Sequence, residues 1–182
     1  MMSNPPAQFP LVPPVQDEDH VAGPDAAAMT LVAYCDFECP YCGRAYPIIK
    51  RLQARLGDRL RFVFRHFPLT HKHPLAQQAA EAAEAAGAQG QFWAMHDLLF
   101  EYQEALEEGD LYVYAESLDL DVARFERELA GRAHEQRVDR DVRSGRRSGV
   151  SGTPTFFING LRHADGENLE RVILDMSERR PA

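Results

Sequence analysis

Two cysteines separated by two residues, Cys39 and Cys42, are the side chains whose type and spacing best suit a chemical role. They enclose Pro40 and Tyr41, follow an apolar run at residues 29–34, and precede a segment with helical periodicity. Two thiols with this spacing at the start of a helix can close a disulfide with little backbone movement. Because the N-terminus of a helix favours an anion, we expect it to stabilise the thiolate of Cys39.

This spacing predicts a cycle of thiol–disulfide exchange. Cys39 attacks a disulfide to form a mixed disulfide, and Cys42, one turn inside the helix and more shielded, resolves it. Half of a zinc site is the alternative, but zinc would need a second Cys pair or a well-spaced His pair. His71 and His73 are the close His pair of this sequence, in a loop where we expect them to be solvated. The sequence therefore favours a redox-active pair and predicts no metal site.

Cys35 adds a third thiol four residues before Cys39. The resulting C-x3-C-x2-C spacing is the one by which radical-SAM enzymes bind an iron–sulfur cluster. Those enzymes usually need a longer chain, and the Pro between the cysteines belongs to the redox motif, so the redox interpretation is favoured. Two roles stay open for Cys35. It is either a third functional thiol, in an alternative disulfide or as a metal ligand, or a small buried hydrophobic side chain.

A second segment of chemical interest is Gly-Val-Ser-Gly-Thr-Pro-Thr at residues 149–155. Pro154 precedes an apolar strand and follows a flexible approach. This pattern suits a tight turn with a cis peptide bond as well as an ordinary turn at the start of a strand. If the loop faces the cysteine pair, the backbone of Thr153 is free to pair with an extended substrate segment, as in strand addition.

Strand and helix patterns near the cysteine pair predict how it is positioned. The apolar runs at residues 29–34 and 60–67 are predicted strands, and residues 43–56 between them have helical period. A strand, a helix and a second strand within this length form a βαβ unit.

The C-terminal part of the chain again has strand character. Residues 155–159 predict a strand, Asn159 and Gly160 a hairpin turn, and residues 162–163 the start of the returning strand. A helix over residues 167–179 completes a ββα pattern.

The middle of the chain is predicted to be helical, with Asp110 and Asp121 as N-caps and with His66 and His96 as hydrogen-bonded side chains beside the core. The predicted helices cover residues 75–86, 91–106, 111–118, 122–130 and 133–144.

Composition excludes several classes of protein. The chain has 182 residues, 45% hydrophobic and 26% charged, as expected for one globular domain that needs no disulfide staples. Three cysteines within eight residues exclude a disulfide scaffold, and no apolar run approaches the roughly 20 residues of a membrane span. A net charge of −8 argues against nucleic-acid binding. Residues 73–123 contain eleven Asp and Glu but no Lys or Arg, so this charge comes largely from the helical middle.

The first 28 residues are Pro-rich and polar, and we expect them to form an arm. The sequence shows no positively charged segment followed by an apolar one, as a secretory signal would require. We therefore expect a cytoplasmic location, where thiols are kept reduced.

Four motifs in order, DFECPYC, FRHFPL, QFWAMHDLLFEYQ and GVSGTPTFFING, resemble the DsbA-like branch of the thioredoxin superfamily. They are most similar to the bacterial group that includes domains fused to sodium/proton antiporters, and the resemblance covers about residues 21–172. It implies an α/β thioredoxin fold with an all-helical domain inserted between its βαβ and ββα halves. The implied divisions are an arm at 1–28, a first half at 29–73, a helical insert at 74–148 and a second half at 149–182.

The resemblance also implies a function and its residues. It implies a thiol–disulfide oxidoreductase with Cys39 as nucleophile and Cys42 as resolving thiol, acting on protein or small-molecule disulfides and thiols. No cofactor is implied beyond the redox-active disulfide, with glutathione or a thioredoxin-type protein as electron partner. In the cytosol, reductase or isomerase work is favoured. The residues expected to contact substrate are Pro40, Tyr41, Thr153 and Pro154.

The sequence departs from these relatives at two positions. Many carry a buried acid six residues before the nucleophile, where this chain has Ala33, so deprotonation of Cys42 must rely on water or on Asp36 or Glu38. Cys35 stands where relatives commonly have a small residue such as Gly. The alternative function is a redox-sensing or partner-binding module of the same fold without turnover.

Overall fold

The apolar run that precedes the cysteine pair forms the central strand of a five-stranded sheet in the computed structural model, which describes residues 10–163 and 168–178. The strands are β1 (His20–Ala22), β2 (Met29–Cys35), β3 (Leu60–His66), β4 (Thr155–Ile158) and β5 (Leu161–Arg162). The helices are α1 (Pro40–Leu56), α2 (Ala76–Gly87), α3 (Phe92–Glu101), α4 (Glu108–Ser117), α5 (Val122–Ala130), α6 (Glu135–Arg147) and α7 (Leu169–Glu178).

The strands lie in the order β1-β3-β2-β4-β5. β2 and β3 are parallel and joined by α1, while β4 runs antiparallel to β2 and continues into β5 and α7. The five helices α2 to α6 lie between β3 and β4 in the chain. The predicted α/β fold, a βαβ half and a ββα half with a helical insert, is confirmed. None of the helices in the described residues has the length and apolar character needed to cross a bilayer.

The alternation of side chains along β2 decides which groups meet the start of α1. Leu31, Ala33 and Cys35 belong to the larger core cluster, which also contains Cys42 of α1. Val32 belongs to a smaller cluster on the other face of the sheet. Because successive side chains of a strand point to opposite faces, this register brings Cys35 to the same side of the sheet as Cys42.

The N-terminal segment differs from the predicted arm. Residues 20–22 form β1, which pairs antiparallel with β3, and Leu11 is buried. The pattern around β1 is too short and too polar to stand out in the sequence, and its partner strand lies about forty residues away. Residues 1–9 of the expected arm, and residues 167 and 179 of the predicted closing helix, lie outside the described residues.

A buried arginine joins this segment to the sheet. Arg65 of β3 is 1% exposed, and its guanidinium donates to both carboxylate oxygens of Asp19, at 3.0 and 2.7 Å. It also donates to the carbonyl oxygens of Pro13 and Pro14 and to the Tyr34 hydroxyl. All five N–H groups of the guanidinium therefore have acceptors, as a buried charge requires.

Helix boundaries differ from the predictions at several ends, by three residues at the start of α1 and at the end of α6, and also between α3 and α4. α3 ends at Glu101, so the helix expected to reach residue 106 is shorter. α4 begins at Glu108 with Glu107 as its N-cap, and the predicted cap Asp110 is instead the third helical residue, which accepts a hydrogen bond from the backbone N–H of Glu107. The predicted N-cap Asp121 is confirmed for α5.

Candidate active site

The cysteine pair lies at the junction of β2 and α1. Cys39 is the N-cap of α1, and Pro40 is its first residue, where a proline costs no hydrogen bond. The backbone N–H of Cys39 donates to the Asp36 carbonyl oxygen, and the N–H of Gly43 donates to that of Cys39. A turn therefore leads directly into the helix and places Cys42 within its first turn.

The loop before β4 meets the first cysteine. The Cys39 thiol donates to the Thr153 carbonyl oxygen, with 3.4 Å between sulfur and oxygen, and the Thr153–Pro154 peptide bond is cis. Residues 114 positions apart in the chain thus come into contact. The structure brings Cys39, Thr153 and Pro154 together.

The two residues between the cysteines lie at the surface. Pro40 is exposed, and Tyr41 is 64% exposed. The guanidinium carbon of Arg44 lies 4.4 Å from the centre of the Tyr41 ring, a cation–π contact that orients the ring. An aromatic surface therefore borders the cysteine pair on its solvent side.

The two thiols differ in their partners more than in their exposure, which is 2% for Cys39 and 1% for Cys42. Cys39 faces the Thr153 carbonyl, whereas Cys42 Sγ lies 3.5 Å from the backbone nitrogen of Asp36 at the end of β2. Burial raises the pKa of the Cys42 thiol well above its ordinary value. Cys42 is therefore held as a protonated thiol behind Cys39.

The pKa of Cys39 does not follow the sequence prediction of a stabilised thiolate. Its hydrogen bond with the Cys42 thiol and its burial raise the pKa of Cys39 above the ordinary cysteine value. The backbone N–H of Cys42, in the first turn of α1, lowers the pKa as predicted, but this contribution is smaller. The Cys42 thiol, which a prediction from the helix N-terminus alone does not include, therefore determines that the pKa of Cys39 is raised.

Cys42→Ala is therefore expected to lower the pKa of Cys39, because it removes the largest influence that raises this pKa. A lower pKa gives more thiolate at any pH below it, so alkylation of Cys39 at pH 7 becomes faster. The measurement is the pH dependence of iodoacetamide alkylation at Cys39, located by mass spectrometry. Cys42→Ser is the matched variant and should shift the midpoint in the same direction. An unchanged or higher midpoint in both variants contradicts this assignment.

The two acids suggested as proton acceptors for Cys42 are occupied in holding the site together. The Asp36 carboxylate accepts from the N–H of Glu38 and of Leu69 and is 2.7 Å from Nδ1 of His73. The Glu38 carboxylate accepts from the N–H of Leu75. Both acids thus tie the turn before the cysteine pair to the loop before α2. The expectation that His73 is solvated was wrong, because this half-buried ring pairs with Asp36.

Gln103, just beyond α3, is a positioning residue that sequence reasoning missed. Its Nε2 donates to the carbonyl oxygens of Phe37 at 2.6 Å and Cys39 at 3.1 Å. A Cβ on Gly43 would lie 1.9 Å from Gln103 Oε1, so the glycine makes room for this side chain. Gln103 ends the QFWAMHDLLFEYQ motif, which was the available signal, but nothing local shows that it reaches the cysteine turn.

Among the described residues, one group has the composition of a metal site: His20, His66 and Glu84. Nε2 of each His lies 2.8 Å from the same oxygen of Glu84, and Arg137 Nε lies 3.6 Å from it. His66 Nδ1 is buried without a hydrogen-bond partner, although a metal-bound His usually donates its second N–H. The geometry is that of a buried carboxylate held by hydrogen bonds. His96 is likewise buried and hydrogen-bonded, to Asp97, so the predicted placement of His66 and His96 is confirmed.

Comparison with known proteins identifies the family to which this site belongs. A protein-family model described as thioredoxin matches residues 16–174, which include the cysteine pair and the Thr153–Pro154 loop. The chain belongs to the thioredoxin family. The matched region begins at residue 16, before β1, so the family pattern includes this strand, which was not predicted from the sequence.

A relative of this thioredoxin-family chain is named as a membrane transporter. The chain is 53% identical over 162 residues to the Na(+)/H(+) antiporter NhaA 3 of Salinispora tropica. The match covers 89% of the chain but 25% of that protein. The chain therefore spans about a quarter of the length of the antiporter relatives that it matches.

Solved structures share the fold of this thioredoxin-family chain over most of its length. A thioredoxin-like oxidoreductase from Silicibacter pomeroyi matches with a TM-score of 0.75 and 24% identity, covering 90% of this chain and 92% of that one. DsbA2 from Pseudomonas aeruginosa matches with a TM-score of 0.69 and 25% identity, covering 89% and 94%. The resemblance to DsbA-like proteins of the thioredoxin superfamily is confirmed. At the level of the family, the matches support a thiol–disulfide oxidoreductase.

Proposed function

We propose that this chain is a DsbA-like thiol–disulfide oxidoreductase that exchanges disulfides with protein or small-thiol substrates through Cys39 and Cys42. The observation that supports this most is the 3.4 Å contact between Cys39 Sγ and the Thr153 carbonyl oxygen, with Cys42 enclosed behind it. One thiol faces the loop and the other faces the protein interior. This asymmetry suits a nucleophile and a resolving thiol.

The exchange proceeds in two steps. The Cys39 thiolate attacks one sulfur of a substrate disulfide, a new bond joins that sulfur to Cys39, and the other substrate sulfur leaves as a thiolate. Cys42 then loses its proton and attacks Cys39 Sγ. The Cys39–Cys42 disulfide forms and the second substrate thiolate leaves, so the substrate gains two electrons and the protein loses two. Substrate oxidation is the same sequence in reverse.

We propose that a peptide substrate lies extended along the Thr153–Pro154 loop. Backbone groups beside Cys39 can pair with such a peptide as an added strand does, and this requires no particular substrate sequence. Pro40 and the exposed ring of Tyr41 supply the apolar contact on the other side of the sulfur. Substrate recognition would thus rest mainly on backbone and apolar contacts.

Reduction of substrate requires a thiol donor, either two molecules of a monothiol or one dithiol protein, to return two electrons to the Cys39–Cys42 disulfide. We propose that glutathione or a thioredoxin-type protein is this donor and that the chain acts in the cytoplasm. There the reduced glutathione pool favours reduction or isomerisation of substrate disulfides over net oxidation. Within the chain, the Cys39–Cys42 pair is the group that carries electrons in this scheme.

Reduction of insulin with glutathione as the electron source tests the proposal. The wild-type chain is expected to accelerate the reduction, and Cys39→Ser is expected to lower the rate to that of the uncatalysed reaction, because the attacking sulfur is lost. Near-ultraviolet circular dichroism on both proteins verifies the fold. Turnover that survives in Cys39→Ser contradicts the assignment. Absence of turnover in the wild-type chain, with a reversible change in its own thiols, would instead support the redox-sensing module.

A further inference from the structure

Cys35, which the proposed exchange does not use, lies beside the resolving thiol. It is the last residue of β2, 3% exposed, and its side chain belongs to the same core cluster as Cys42. Cys42 Sγ lies 3.5 Å from the backbone nitrogen of Asp36, the residue directly after Cys35. The resolving sulfur therefore packs against the very end of β2.

The two thiols also lie close enough to influence each other. The Cys35 thiol is within hydrogen-bonding reach of Cys42 and contributes to raising the pKa of Cys42, after the larger contribution from burial. The side chains that most influence the pKa of Cys39 are Cys42 and Thr153. Cys42 thus lies between two cysteines and can reach either one.

A partly open cavity borders the same two cysteines. It has a volume of about 140 Å³, and its wall includes Cys35 and Cys42 together with Lys50, His96 and Asp97. This volume exceeds that needed for a water molecule, and the wall contains polar partners for one. The cavity therefore offers space for the sulfur atoms to move and a path by which a proton can leave Cys35.

We propose that Cys35 is a third redox-active thiol, which takes over the disulfide from Cys39 and stores it as a Cys35–Cys42 disulfide. The Cys35 thiolate attacks Cys42 Sγ, the Cys39–Cys42 bond breaks, and the Cys35–Cys42 bond forms. Cys39 leaves as a thiolate and takes up one proton, which balances the one lost by Cys35. No external oxidant or reductant is consumed, because the chain holds one disulfide before and after the step.

This step rests on the proposed function and changes what the oxidised chain can do. The Cys35–Cys42 disulfide is enclosed, because both residues are almost fully buried. Glutathione can therefore reduce the chain only after the reverse exchange has restored the Cys39–Cys42 disulfide. Meanwhile Cys39 is again free as a nucleophile. The oxidised chain can therefore attack a further disulfide without being reduced first, as disulfide isomerisation requires.

The test uses Cys39→Ser, which retains Cys35 and Cys42 as its two thiols. The purified, reduced variant is oxidised with diamide, quenched in acid, denatured and alkylated. Free thiols are expected to fall from two to zero in the monomer, with a Cys35–Cys42 link found by fragment-ion mass spectrometry. The matched control is Cys42→Ser, which has Cys35 and Cys39 and is expected to keep two thiols in its monomer.

The proposal is overturned if Cys39→Ser retains both thiols, or if it forms only glutathione adducts when oxidised glutathione replaces diamide. Mapping of the oxidised wild-type chain is the second measurement, because it does not depend on a variant that folds. A fraction with Cys39 alkylated and Cys35 linked to Cys42 supports the proposal, and its complete absence overturns it. If the wild-type chain reduces insulin but forms no Cys35–Cys42 link, the proposed function is supported and only the transfer of the disulfide to Cys35 is contradicted.

Discussion

Cys42→Ser is expected to accumulate a covalent complex in which Cys39 is joined to a substrate sulfur. The variant can still perform the first attack, but a serine hydroxyl cannot resolve the mixed disulfide. Cys35 interacts with residue 42, and the neighbouring thiol of Cys39 is Cys42, so we do not expect Cys35 to release the substrate either. Non-reducing electrophoresis after incubation with a denatured, disulfide-bonded protein shows the complex, and mass spectrometry locates the bond.

Cys39→Ser is the matched control for this experiment. It differs from the wild-type chain by one atom at the attacking position, and we expect no complex with it. Complex formation by Cys39→Ser, or a substrate adduct on Cys35 in the Cys42→Ser variant, would mean that the roles of the cysteines are assigned wrongly.

Asp19→Ala is expected to lower the free energy of unfolding by about 3–5 kcal/mol, because it leaves the Arg65 guanidinium charged and unpaired in the interior. Both side chains of this pair are almost completely buried, at 3% and 2% exposure, and the shorter of their two contacts is 2.7 Å. The same change removes one of the contacts that hold the N-terminal segment to Arg65, while those to the Pro13 and Pro14 carbonyl oxygens remain. Urea unfolding followed by circular dichroism gives the free energy.

Glu170→Ala provides the comparison, because its ion pair with Arg51 is exposed to solvent, at 33% and 58%, and such a pair stabilises the fold much less than a buried one. Asp19→Ala combined with Arg65→Met should recover part of the loss, since no buried charge is then left unpaired. A decrease for Asp19→Ala as small as that for Glu170→Ala would show that the pair does not stabilise the N-terminal segment.

The sequence was most informative for features that a local pattern of residues is sufficient to specify. The run that became β2, the helix that became α1 and the N-cap Asp121 each follow from residues within one element. The cysteine pair is equally local, since its chemistry depends on spacing and on a helix start. Its predicted neighbours, Thr153 and Pro154, are distant in the chain, and the resemblance to DsbA-like proteins supplied the pairing.

What the sequence did not predict depends on contacts between distant residues. The pairs of Asp36 with His73 and of Gln103 with the Cys39 carbonyl join segments 37 and 64 residues apart, and no periodicity links their partners. The pKa of Cys39 is a similar case. A helix N-terminus is visible in a sequence, whereas the relative position of two sulfur atoms inside the folded protein is not.

The reversible redox equilibrium of the wild-type chain in glutathione buffers tests the central claim most directly. Samples equilibrated at different ratios of reduced to oxidised glutathione are quenched in acid and alkylated. Mass spectrometry then shows whether each of the three cysteines is alkylated or in a disulfide. The account predicts that the oxidised chain keeps one free thiol, that this thiol is Cys39 or Cys35, and that Cys42 is always in the disulfide. Three free thiols at the oxidising end, or an oxidised chain in which Cys42 is alkylated, would contradict it.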